Sequence, residues 1–131
     1  MTRSEAREQA FIIIFEKIFD NESTIPQIIE NAQEAEVIKI NGFAKALLLH
    51  VENNMASIDA LIEENSKDWS INRLPKVSLA ILRLAIGEML YVEDVPAGVS
   101  VNEAVELTKK YGTEKDAAFI NGILGTIAKA L

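Results

Sequence analysis

Leu74 to Leu90, LPKVSLAILRLAIGEML, is too apolar to be a surface element. At about 100° per residue, Leu74, Val77, Ser78, Ile81, Leu82, Leu84, Ala85 and Met89 occupy well over half the circumference of a helix. A helix apolar nearly all round must be buried on several sides, so other helices have to pack around it. Lys76 and Arg83 mark the narrow strip expected to reach water. Glu88 does not join them. It falls between the directions of Val77, Ile81 and Leu84, near a helix C-terminus where negative charge is unfavourable. An acid set against both the stripe and the dipole requires a partner.

The rest of the chain supplies the surrounding helices. Its 131 residues suit one domain with one core, and 49% hydrophobic with 25% charged residues is a globular composition. Period-two alternation never lasts, so an all-α domain is expected. Phe11, Ile14, Phe15, Ile18 and Phe19 form the buried stripe of a first helix over residues 3–19. Thr24 caps a short helix with Pro26 in its first turn. Phe43, Leu47, Val51, Met55, Ile58 and Ile62 recur at steps of three or four, which predicts one long helix over residues 38–64. At 1.5 Å per residue it would be a spine about 40 Å long. Trp69 reads as a core anchor at the loop entering the apolar helix, and Pro75 suits that helix's first turn. Asp94, Pro96 and Gly98 redirect the chain. Ser100 to Glu103 has capping-box form, its helix runs to Tyr111, and Gly112 closes it as a C′ glycine. Thr113 caps a last helix whose stripe is Ile120, Ile123, Leu124, Ile127 and Leu131, with Phe119 on its shoulder beside Lys115.

Charge and residue types exclude most chemistry. No cysteine is present, which removes disulfides, thiol nucleophiles and cysteine zinc sites. There is no phosphate-binding GxxxxGK loop, no GxGxxG and no HExxH. The single histidine, His50, reads as a packed or surface residue. No apolar run approaches the roughly 18 residues of a membrane span, and a signal-peptide pattern is missing at the N-terminus. A soluble intracellular protein, not an enzyme, is expected. The formal net charge is −7, unlike that of a general nucleic-acid binder. Between Asp20 and Asp68 stand ten acids against three lysines, so the flanks carry ten charges of each sign. Either the acidic segment is a solvated face kept for solubility, or it leaves a locally basic surface where the flanks meet.

Three features point to binding surfaces. Arg3 and Arg7 lie one turn apart at a helix N-terminus, where cations oppose the dipole; Glu5 and Glu8 neutralising them on a solvated turn is the plain alternative. Glu88 stands on an apolar face. Phe119 beside Lys115 is either a platform for an unpaired base or the margin of the core.

Trp69, Arg73-Leu74, ILRLAIGEML (Ile81 to Leu90), DVP (Asp94 to Pro96), VSVNEAVELTKKYG (Val99 to Gly112) and FINGIL (Phe119 to Leu124) together resemble the NusB family, and AREQAFIIIF (Ala6 to Phe15) is similar to its first helix. The resemblance implies an all-α single domain, 1–131, of six to seven helices in two packed helical subdomains, about 1–66 and 67–131. It implies a cytoplasmic transcription antitermination factor with no cofactor. Such a factor binds single-stranded boxA RNA in nascent ribosomal-RNA transcripts as a heterodimer with NusE, a small-subunit ribosomal protein. It then joins other Nus factors on RNA polymerase. By residue, the arginine-rich motif falls on Arg3 and Arg7, with Ser4 and Glu5 where relatives often carry more arginines. Lys115, Asp116 and Phe119 match the other RNA-contacting region. Phe15 and Glu88 match the NusE interface, and on this reading a basic partner completes the face that holds Glu88 and supplies phosphate contacts. Two alternatives stand beside it. One is a helical module that binds only protein, a second copy of itself included. The other is a free-standing relative of the RNA-binding domain of ribosomal-RNA cytosine methyltransferases.

Overall fold

The computed structural model describes residues 1–67 and 70–131, so the expectation for Trp69 lies outside the described residues. Those residues form seven α-helices and no strand: α1 (Arg3–Ile18), α2 (Ile25–Glu34), α3 (Gly42–Asn53), α4 (Met55–Asn65), α5 (Lys76–Tyr91), α6 (Ala97–Tyr111) and α7 (Glu114–Lys129), with a single 3₁₀ turn (Ile71–Arg73) before α5. α5 is the apolar helix foreseen above. Ten of the eleven positions from Ser78 to Glu88 are buried, Arg83 being the exception. It packs against α1, α3, α4, α6 and α7.

Local chemistry sets the helix starts. Thr2, Thr24 and Thr113 each cap a helix by accepting from the third backbone N–H, and Glu5, Gln27 and Asp116 return the bond to the cap N–H. Asn41 caps α3 through Ala44 N at 2.8 Å. The expected 38–64 spine is two helices. Asn54 leaves helical geometry (φ −124°, ψ 20°), and its Nδ2 donates to the His50 carbonyl at 2.8 Å. An asparagine that bonds its own backbone competes with the helix; the apolar spacing runs on across the break and so conceals it.

Three other expectations change. α6 starts at Ala97, directly after Pro96, so Ser100 lies inside the helix and not at its cap. Gly112 ends α6 at φ −122°, an extended conformation without the left-handed turn of a C′ glycine. Arg83, expected to reach water, makes two 2.9 Å bonds to Asp59 of α4. His50 is packed, its ring stacked on Tyr91 with centroids 5.7 Å apart.

α3 packs tightly on α5 at Gly87, where a Cβ would lie 2.6 Å from Val51 Cγ2. A β-branched side chain has little freedom to yield. Gly87→Ala should therefore destabilise the fold by about 1–3 kcal/mol, read as a lower urea midpoint. A midpoint at or above wild type would show that the two helices can separate at no cost.

Candidate functional site

The two anomalies in the sequence answer each other. Arg7, one turn into α1, points at Glu88 in the last turn of α5. Its Nε donates to both carboxylate oxygens, at 2.8 and 3.1 Å. Ser100 of α6 donates its hydroxyl to Oε1 at 2.6 Å, and Glu103 stands 3.7 Å from the guanidinium. Arg7 is 4% exposed and Glu88 2%. The expectation that a basic partner completes the face holding Glu88 is corrected: its own chain neutralises it. Arg7 is likewise no surface cation, and Glu5 and Glu8 do not neutralise it. Glu5 belongs to the Thr2 capping box, and Glu8 binds Lys110 and Tyr111 of α6.

Arg3 does reach the surface. Its guanidinium lies 4.6 Å from the Phe43 ring centroid and donates to Asp94 at 2.9 Å. A cation over an aromatic face is attracted by the ring quadrupole, so the Phe43 ring and Asp94 together favour one position for the Arg3 guanidinium. Phe43, which the sequence reading placed only in a core stripe, is the residue that orders it.

Phe119 lies elsewhere. It is half-buried on α7 in a groove whose opposite wall is Asn65 to Lys67 at the end of α4. Lys115 is exposed in the first turn of α7, and the Asp116 carboxylate accepts from Thr113 N at 3.2 Å. Among the described residues no hydrogen bond, ion pair or ring contact joins Arg3 or Arg7 to Phe119. Phe15 is half-buried in an aromatic ladder, 6.0 Å from Phe11 and 5.1 Å from Phe19. Phe19, expected in the buried stripe, is the C-cap of α1 and 65% exposed. Periodicity counts it as inward because its spacing is right; at the helix end it meets the Phe15 ring edge-on and stays mostly exposed. The described residues hold no cluster of three metal-ligating side chains and no helix long and apolar enough to cross a membrane.

The outer seam between α1 and α6 is electrostatic. Hydrogen bonds from Lys110 and then Tyr111 hold the Glu8 carboxyl below its ordinary value of 4.5. The same contact pushes the Tyr111 phenol above 10.0. A depressed carboxyl pKa stabilises the fold fully above about pH 4.5 and loses that contribution as pH falls through the folded value. A raised phenol pKa stabilises below about pH 10 and loses it as pH rises through the folded value. Glu8→Gln should flatten both limbs of the stability–pH curve; unchanged limbs would show the seam carries no weight. In the interior, Glu88→Ala should cost about 3–5 kcal/mol by leaving Arg7 buried and unpaired. Arg7→Met combined with Glu88→Leu should recover most of that loss, and additive losses would show that the two side chains act separately.

Comparison with known proteins agrees with this architecture. The NusB family model matches residues 4–129. The chain is 44% identical over 128 residues to a protein of Listeria monocytogenes named transcription antitermination protein NusB, covering 98% of this chain and 97% of that one. It is 41% identical to the protein of that name from Natranaerobius thermophilus, covering 100% and 97%. Among solved structures, NusB from T. maritima superposes with a TM-score of 0.87 at 35% identity over 98% of this chain and 92% of that one. A NusB crystallised with NusE and double-stranded RNA gives 0.87 at 30% identity, covering 98% and 97%. A family model spanning almost the whole chain, and relatives above 40% identity end to end, leave one assignment: the chain belongs to the NusB family.

Proposed function

We propose that the protein is a transcription antitermination adaptor that works with NusE to hold single-stranded boxA RNA of nascent ribosomal-RNA transcripts. Through other Nus factors it acts on RNA polymerase in the cytoplasm. The observation that carries the reading is the superposition, over 98% of the chain, on the NusB of a NusB–NusE–RNA complex. The NusB family is non-enzymatic, and the role here is assembly.

On this reading the RNA meets Arg3 on its Phe43 platform, Lys115 and Phe119, with Asp116 fixing the turn that presents them. Arg7 acts through position: it holds α1 on α5 and so places Arg3. Phe15 and the exposed Phe19 face the protein partner, and Glu88 supports that face from within. A net charge of −7 leaves few cations for phosphate, so NusE supplies much of the counterion release that drives binding. Bases of an unpaired strand are read by stacking and edge hydrogen bonds.

Titrating labelled boxA RNA with the protein, NusE and the mixture tests this. The mixture should bind tighter than either alone. Arg3→Ala should weaken binding and lower the slope of log affinity against log salt by about 0.7, the loss of one phosphate contact on a single strand, with NusE association unchanged. A mixture that binds no better than NusE alone would favour the protein-only module, a reading supported by the internal neutralisation of Arg7.

A further inference from the structure

We propose that Asp94 is a built-in competitor for RNA. In the free protein its carboxylate holds the edge of the Arg3 guanidinium that a phosphate of the strand would take. Binding at Arg3 therefore exchanges one anion for another. The inference rests on the RNA-binding reading above and adds to it an acid that restrains the site.

Arg3 makes two contacts, and they use different parts of its guanidinium. Phe43 meets its face, with Cζ 4.6 Å from the ring centroid. Asp94 takes its edge: Nη2 donates to Oδ2 at 2.9 Å, across 91 positions of the chain. A ring on the face leaves the edge N–H groups open, and carboxylates and phosphates recognise those same groups. Asp94 and a phosphate are therefore rivals for Arg3, whereas Phe43 and a phosphate are not.

The acid is the fixed member of the pair. Asp94 stands in the short turn between α5 and α6, where the sequence marks it only as a residue that redirects the chain. Its neighbour Val95 is buried, Val92 N donates to the Glu88 carbonyl at 3.0 Å, and Pro96 opens α6. Arg3 is the first residue of α1, so a turn of its side chain is enough for the exchange. Both side chains are open to water, 49% for Arg3 and 67% for Asp94. A pair so exposed is weak and yields to a ligand.

The neighbouring acids cannot act in this way. Glu88 is sealed against Arg7, their side chains 2% and 5% exposed. Glu103 accepts from the Ser4 hydroxyl at 2.8 Å and faces Arg7. Among the described residues, Asp94 is the one carboxylate paired with Arg3.

Phosphate contacts carry no sequence information. An internal acid on Arg3 thus lowers affinity for every strand by the same factor and leaves discrimination to the contacts made with bases. A strand held by NusE or by base contacts exchanges the pair readily; one that meets Arg3 alone gains little.

The test uses the full chain with NusE and a fluorescein-labelled single-stranded boxA oligonucleotide, beside a scrambled strand of equal length, followed by anisotropy. Asp94→Asn keeps the shape and removes the charge. It should tighten binding of both strands about 2–5-fold, the scale of one exposed ion pair, with NusE affinity and the thermal midpoint unchanged. Glu93→Gln removes the same charge from the adjacent exposed position, which has no ion pair among the described residues, and should change affinity less. Adding Arg3→Ala to Asp94→Asn should erase the gain, because the acid acts through that arginine. Asp94→Asn binding as wild type or more weakly would show that the carboxylate only positions Arg3. A gain that survives Arg3→Ala, or that Glu93→Gln matches, would reveal a general effect of net charge. Each of these outcomes overturns the competition and leaves the RNA reading standing. A wild-type mixture that binds boxA no better than NusE alone overturns both.

Discussion

A carboxylate in the core of an all-helical protein must be met by donors, and here that requirement organises three helices. α5 is buried on nearly every side, so Glu88 cannot turn to water. An unpaired charge in such a place costs a large part of the fold's margin. Arg7 from α1 and Ser100 from α6 satisfy it. Apolar contacts tolerate small sliding of one helix over another, whereas directional hydrogen bonds to one carboxylate do not. The bundle's apolar area drives its collapse; the Arg7–Glu88–Ser100 junction selects how α1 and α6 sit on α5.

This internal use of charge shapes the surface available for binding. Arg7 is consumed by Glu88, Arg83 by Asp59 and Lys110 by Glu8. With Arg7 and Arg83 committed to buried or half-buried pairs, Arg3 and Arg73 are the arginines left exposed, and so acidic a protein meets a phosphate backbone at only a few places. Arg3 on Phe43 is one, and the groove beside Phe119, with no acid among its described lining residues, is another. They belong to different parts of the bundle, which suits an extended ligand better than a compact one. On the proposed reading, most of the electrostatic attraction for RNA comes from the partner.

Much of this was legible in the residues. The all-round apolarity of α5 and the caps at Thr24 and Thr113 follow from local patterns and hold in the structure. The family resemblance rests on motifs such as NEAVELTKKYG and FINGIL, and it too holds. Reading failed where a local signal had two tertiary outcomes. Ser100 has the residue type of a cap, but Pro96 starts the helix a turn earlier and frees the hydroxyl for Glu88. Phe19 has the spacing of a core residue and lies past the end of its helix. Met55 continues the stripe of α3, and Asn54 breaks the helix beneath it.

Glu88 and Arg7 mark the boundary most clearly. Residue order alone determined that each was out of place, because periodicity and the helix dipole are local properties. Only the folded chain decided that they were each other's answer, since they are brought together from 81 positions apart by packing that no local pattern encodes. The helical class, the central helix and the family are thus written along the chain. Which charges remain for a ligand was settled by which ones the interior had already taken.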